Sequence, residues 1–302
     1  MKTAILLGDV NLDIIFAGME EFPSLGREID ASKAVMKAGG SATNVAVMLA
    51  AQQFPVRLYG RVGDDRAGRF VCEELEGMDV RAQGICFGVG ERTGITVSLA
   101  YPGERMYVTF PGTLATTTLL QLKDGYIEKG AHLHLTSFFL QEALRPDVGP
   151  LLRRAKEEGM SCSLDPGGDP TGKWDVSDLW ENLRFLDFFL PNGEEIVGMT
   201  GAGSIRDALG IIPREVAGVV VKSGSDGVYT RYLGKVEHRT ALPVTVVDTT
   251  CAGDCFDAGF LAGILSGASF TEAVGLGLKY AAQAVSCMGL PKEKIDELEG
   301  KR

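Results

Sequence analysis

Between Asp248 and Gly263 the chain reads D-T-T-C-A-G-D-C-F-D-A-G-F-L-A-G, and this is its sharpest chemical feature. The β-branched T-V-V-D stretch reads as a strand, the small residues after it as a turn, and 253–266 as a helix rich in Ala and Gly. Around Cys251, Ala252 and Gly253 the backbone N–H groups sit at a helix amino end. Unpaired donors and the helix dipole favour negative charge there, which makes an anion hole. Asp254 falls in the first turn of the same helix. A carboxylate beside an anion hole is placed to take a proton from a hydroxyl as that hydroxyl attacks phosphorus. An acidic residue in a first helical turn also serves as an ordinary cap, and composition alone leaves the two readings level.

Three further stretches carry groups suited to ligands. G-G-S-A-T-N (Gly39 to Asn44) reads as a glycine loop opening a helix, with Ser41 or Thr43 as its cap. Gly39 and Gly40 permit close backbone approach, and Asn44 offers a donor and an acceptor to a hydroxyl. The same glycine pair also fits a plain helix-entry turn. P-N-G-E-E places Asn192 and Glu195 one helical turn apart, a spacing that equally makes a capping box. K-S-G-S-D-G (Lys222 to Gly227) is a short glycine loop behind the apolar strand G-V-V-V, a sound place for a ligand at a parallel strand's carboxyl end. Neither G-x-x-x-x-G-K-[ST] nor G-x-G-x-x-G is present, so a P-loop enzyme and a dinucleotide-dependent oxidoreductase are both disfavoured.

The elements that must position these groups alternate. Strands are expected at 3–8, 56–63, 131–136, 160–165, 185–192 and 218–224, with helices at 39–53, 65–78, 146–158, 253–266 and 271–287 between them. This βα rhythm predicts a parallel sheet covered by helices. The pattern breaks at 12–38 and at 92–112, where T-G-I-T-V-S-L and R-M-Y-V-T-F flank P-G-E as a hairpin. These two insertions are expected to form a small second sheet that lids the site. The 302 residues, 45% hydrophobic, suffice for one large core or two modest ones. A net charge of −10 argues against a nucleic-acid partner. No apolar run reaches the length of a membrane span, and the amino end reads as a buried strand rather than a signal peptide. Six cysteines without C-x-x-C spacing, with only three histidines, read as free thiols in a reducing, cytoplasmic setting rather than as a zinc site.

Taken together, the stretch from Asp248 resembles the D-T-x-G-A-G-D-x-F signature of the ribokinase-like (PfkB) carbohydrate kinases, with Cys251 where that family usually has Gly. The resemblance spans nearly the whole chain. It implies a three-layer α/β/α sandwich with a small inserted β-sheet lid over residues 1–302. It also implies ATP-dependent phosphorylation of a hydroxyl on a small neutral sugar. Asp254 is then the base, with Cys251, Ala252 and Gly253 in the anion hole. By the same resemblance G-D-V-N-L-D-I-I holds the acceptor through Asp13, with Asn11 beside it, and Gly39, Gly40 and Asn44 touch its hydroxyls. Asn192 and Glu195 organise magnesium and phosphates. Lys222, Ser223, Gly224, Gly227, Gly253 and Cys287 line the nucleotide. Asp248, Thr250, Ala284 and Gly289 surround the monovalent cation, potassium, that many members bind. A homodimer through the lid is common among such relatives, and an inserted sheet has edges that need cover.

The sequence departs from the family at Asp165-Pro-Gly-Gly-Asp169-Pro-Thr-Gly-Lys173-Trp174, where many members place an Arg at the position of Asp169. Lys173 is a point charge and does not replace a bidentate fork, which argues for a neutral acceptor. Phe16, Tyr101, Tyr107 and Phe110 are aromatic candidates to pack on a sugar or base, with Tyr101 placed among the acceptor contacts; aromatics in strands are also ordinary core. A nucleoside kinase of adenosine type is the alternative activity. If φ > 0 is required at Cys251, a non-catalytic sugar- or nucleotide-binding protein on this scaffold is another.

Overall fold

A computed structural model describes residues 2–101, 104–287 and 290. In chain order the strands and helices begin with β1 (Ala4–Leu7), β2 (Asn11–Ala17), β3 (Lys33–Gly39), α1 (Ser41–Ala51), β4 (Val56–Gly63), α2 (Arg66–Gly77), β5 (Ile85–Gly88), β6 (Ile95–Tyr101) and β7 (Glu104–Phe110). There follow α3 (Thr113–Thr116), β8 (His132–Leu135), α4 (Arg145–Glu157), β9 (Ser161–Leu164), β10 (Phe188–Phe189), α5 (Gly193–Thr200) and α6 (Ile205–Ile211). The last are β11 (Gly218–Lys222), β12 (Val228–Tyr232), β13 (Lys235–Arg239), α7 (Ala252–Leu265) and α8 (Phe270–Val285).

Nine strands form the main sheet in the order β13-β12-β11-β10-β9-β8-β1-β4-β5. All its pairings from β11 to β5 are parallel, and β12 and β13 add an antiparallel edge. The period of two along the strands sends alternate side chains into two separate cores. Ala4, Leu6 and Val220 pack with α1, α2, α7 and α8 on one face. Ile5, Leu7, Val219 and Val221 pack with α4, α5 and α6 on the other. The result is the helix-covered parallel sheet that the βα rhythm predicts, in the three-layer form that the family resemblance implies. Because β1 is flanked by β4 and β8, the chain leaves it in opposite directions, which opens a crevice at the carboxyl ends of the strands.

The insertions build a separate four-stranded sheet, β3-β2-β6-β7. Its register puts Lys37, Asp13, Thr96 and Thr109 in one row across the strands, with Val35, Ile15, Ser98 and Tyr107 in the next row on the same face. The opposite face carries Met36, Ile14, Val97 and Val108, then Phe16, Leu99 and Met106.

Several local expectations are corrected. The T-V-V-D run makes no strand: residues 244–248 are irregular, Val246 and Val247 are exposed, and the N–H groups of Val247 and Asp248 bond to Val285 O at the end of α8 (2.7 and 3.2 Å). β-Branched residues favour a strand only where a neighbouring edge is open to pair with them. Residues 176–183, whose composition suggests a helical turn or two, carry no α-helix but enter a 3₁₀ segment over Trp180–Phe185. The short strands β5 and β13 were not anticipated. The hairpin tip at Pro102 and Gly103, Gly289, and the charged tail after 291 lie outside the described residues. Among the described residues no helix is long and apolar enough to cross a membrane.

Candidate active site

The crevice is organised from its floor by Asp9, just past β1. Its carboxylate accepts from the N–H groups of Ser41 (2.8 Å) and Ala42 (3.1 Å) and from Thr136 Oγ1 (2.8 Å). Asp9 therefore caps α1 from a distance, where a side-chain cap by Ser41 or Thr43 was expected; α1 has no such cap of its own. Gly40 is the residue this geometry demands. Its φ is 99°, and a Cβ there would meet Asp9 O at 2.3 Å. The glycine pair thus brings the start of α1 tight against the end of β1, and Asn44 one turn along.

Asn44 reaches α7. Its Nδ2 donates to Asp254 Oδ2 at 2.7 Å and lies 3.3 Å from Cys251 Sγ, while its buried Oδ1 has no protein partner. Asp254 stands in the first turn of α7, whose N-cap is Cys251. Ala252 N–H is spent on Thr249 O (3.3 Å), which leaves the N–H groups of Gly253 and Asp254 as the open donors at this helix end. Among the described residues the open donors are thus centred one residue later than the small-residue pattern suggests. Cys251 adopts φ 60°, the left-handed region. A side chain there costs about 1–2 kcal/mol relative to right-handed backbone, a cost that Gly would largely escape.

Burial pushes the Asp254 carboxyl up to about 6, aided by the negative charges of Asp165 and Asp9 and opposed by hydrogen bonds from Asn44 and Ser41. That is the range in which a carboxylate is ionised at neutral pH yet basic enough to accept a proton.

The small sheet supplies the opposite wall. Asn11 Nδ2 donates to Asp13 Oδ1 (2.7 Å), and the Asp13 carboxylate lies where a Cβ on Gly39 would be, 2.1 Å from it. Burial raises the Asp13 pKa against the pull of Lys37. Asp13, Asn11, Gly39, Gly40, Asn44, Cys251 and Asp254 therefore converge. Tyr101 does not join them. It ends β6 on the face opposite Asp13 and packs on Phe22, ring centroids 5.2 Å apart. By register Phe16 and Phe110 share that far face, and Tyr107 is the aromatic on the Asp13 side.

The nucleotide motifs meet on the other flank of α7. Asn192 forms a β-bridge with Lys222, and Lys222 N donates to Pro191 O. Asn192 and Glu195 close a reciprocal capping box at the start of α5, so the structure realises the cap reading of N-x-x-E. Glu195 is nevertheless pushed up to about 8, first by burial and then by Asp165. Such an excess of carboxylate suits a nearby cation. Ser223, Gly224 and Gly227 form the tight loop after β11. Lys222 Nζ binds Asp165 Oδ2 (2.8 Å) and the fully buried Asp257 Oδ2 (2.9 Å), and would stand 3.8 Å from a Cβ on Gly253. Asp248 Oδ1 accepts from Thr250 N and Oγ1 beside the carboxyl end of α8, where Ala284 O and Cys287 lie. Asp169 folds back on its own loop through Thr171 and Trp174, and Lys173 is exposed.

Sequence reasoning missed Asp9, Lys37, Thr136 and Asp257. Only Asp257 left a local signal, three residues after Asp254 on the same helix.

Comparison with known proteins places this arrangement. The sequence model of the pfkB family of carbohydrate kinases matches residues 1–294. A fructokinase of Vibrio alginolyticus is 31% identical over 74% of this chain and 75% of its own. An ATP-dependent ribose-1-phosphate kinase of Halopiger xanaduensis is 31% identical over 87% of this chain and 84% of its own. Among solved structures, adenosine kinase from Sinorhizobium meliloti superposes with a TM-score of 0.83 at 21% identity, covering 96% of this chain and 95% of that one. Arabidopsis thaliana ribokinase complexed with ribose and ATP gives 0.77 at 23% identity, covering 100% and 99%.

Proposed function

The chain belongs to the pfkB family of carbohydrate kinases, and from that premise we propose that it moves the γ-phosphoryl group of ATP to a hydroxyl of a small neutral sugar, with Asp254 as the base. One observation carries the reading: a buried carboxylate of raised pKa stands beside two open N–H donors at a helix amino end. The acceptor lies against Asp13, Asn11 and Asn44, and its hydroxyl gives its proton to Asp254. The N–H groups of Gly253 and Asp254 receive the phosphoryl oxygens. The glycine loop 223–227, with Lys222, Asn192 and Cys287, flanks the donor nucleotide. Bound magnesium would supply charge neutralisation for the donor phosphates. Glu195 and Asn192 would hold it through waters, since their side chains are already bonded to each other. Potassium would take the Asp248, Thr250 and Ala284 region.

An ADP-release assay with ATP, magnesium and potassium, run against neutral sugars, sugar acids and nucleosides, tests the reading. Release specific to one neutral sugar is expected. Release with nucleosides alone would replace it by a nucleoside kinase. Substrate-independent silence would leave only a binding role.

The pH profile adds a sharper test. With Asp254 at about 6, kcat/KM is expected to be flat above about pH 7. It should fall roughly tenfold per unit below about pH 6, as the base takes a proton. An acid limb near pH 4 would mean that the base is an unperturbed carboxylate elsewhere.

We further propose that the small sheet acts as a lid over residues 12–38 and 92–112, and that two copies pair through its outer face. That face exposes Met36, Met106, Val108 and Phe110, a sizeable apolar surface for a monomer to leave wet. Sedimentation at micromolar concentration should give a dimer; a monomer there would remove the pairing.

A further inference from the structure

One cation reaches the acceptor side of Asp254, and no motif pointed to it. Lys37 lies on β3 directly across from Asp13, so both side chains leave the same face of the small sheet. Its Nζ lies 3.5 Å from Cys251 Sγ, the N-cap of α7. Among the described residues it makes no ion pair with a carboxylate, and the sulfur is its one hydrogen-bond acceptor. An ammonium carries three donors, so two are unspent.

An ammonium held in a cleft loses hydration and needs compensation. Burial pulls the Lys37 pKa down, but the Cys251 sulfur and the Asp13 and Asp254 carboxylates outweigh it and hold it above the ordinary lysine value. The structure therefore keeps a cation beside the amino end of α7 with carboxylates near it but, among the described residues, none at ion-pair distance. Lys222 approaches the same helix end from the main sheet, near Gly253. Both ammonium groups thus lie near the first turn of α7, which carries Asp254.

We propose that Lys37 is a catalytic residue that donates to an oxygen of the phosphoryl group in flight, a role that rests on the kinase reading above. The acceptor oxygen forms its bond to the γ-phosphorus while the bond to the β,γ-bridging oxygen breaks. The electron pair of that bond leaves with ADP, and the acceptor proton goes to Asp254. Negative charge gathers on the phosphoryl oxygens and the leaving oxygen, and a fixed cation is worth most at that moment.

The test is steady-state transfer by the full chain with the acceptor identified in the panel. Lys37→Met is expected to lower kcat by ~100-fold or more while KM for ATP and for the acceptor moves less than ~3-fold. Lys37→Arg, which keeps the charge, should recover at least ~10-fold of that loss. A kcat for Lys37→Met within ~3-fold of the parent overturns the proposal. So does a raised acceptor KM at unchanged kcat, which would make Lys37 a grip on the ground state only. Should Lys37→Met fail to fold, the contrast between Lys37→Gln and Lys37→Arg decides by the same criterion. A parent protein silent toward every acceptor sinks the kinase reading and this role with it. An active parent that needs Asp254 but not Lys37 sinks this role alone.

Discussion

Asp254→Asn is expected to lose transfer by ~10³-fold or more, yet to make the protein harder to unfold at pH 8. The amide keeps the shape and a hydrogen bond with Asn44 but accepts no proton. The stability gain follows from the folded carboxyl lying at about 6 against an ordinary 3.8. Between those values the folded state binds more protons than the unfolded one, so the carboxylate's contribution to stability declines as pH rises through about 6. Above that the parent carries a buried charge that the amide does not. The gain is on the order of 1–2 kcal/mol after allowing for partial solvent contact, and it should shrink toward pH 4. Thermal melts at pH 8 and pH 4.5, beside the ADP-release rate, measure both halves. A variant within tenfold of parental kcat would place the base elsewhere. A variant no more stable at pH 8 would mean that Asp254 is not held against its own solvation.

The second large effect is on stability. Lys222→Met should destabilise the fold by about 3–5 kcal/mol, because it strands a charge inside the protein. Lys222 bonds Asp165 and Asp257, both buried. The partners divide the proton unequally. Burial and the neighbouring Asp165 hold the Asp257 pKa well above the carboxylate range. Asp165 itself is pulled below it, burial being outweighed by Lys222 and its hydrogen bonds. The cluster thus sets one ammonium between two carboxyl groups whose pKa values are pushed in opposite directions. Removing the ammonium leaves Asp165 charged and unpaired, so a second change, Asp165→Asn, should restore most of the loss. Urea denaturation of the single and double variants at pH 7.5 is the measurement. Equal stability of Lys222→Met and the parent would show that the aspartates are neutral without it.

What could be read from the chain and what could not divides along a physical line. The helix α7, its small-residue amino end, Asp254 and the glycine entry to α1 were legible because each is signalled by its own neighbours in sequence. The βα alternation gave the layered fold for the same reason. Lys37 was illegible because its importance arises from cross-strand register with Asp13, and register is fixed by pairing rather than by composition. Asp9 reads as a loop residue until β1 and α1 are brought together, when its carboxylate becomes the cap of a helix more than thirty positions away. The valines before Asp248 misled in the opposite sense: their propensity is that of a strand, but their amides bond to the end of α8 instead.

The division of labour between the two sheets has a consequence for how such a protein can change over generations. In the proposed reading, donor handling and proton removal belong to the main sheet and α7, while the acceptor meets a wall drawn from two short insertions, 11–39 and 95–110. With Lys37 held fixed, drift elsewhere in those stretches can exchange one acceptor for another without disturbing the residues that perform the transfer. A lineage built this way can diversify its diet at its rim while its engine is inherited intact.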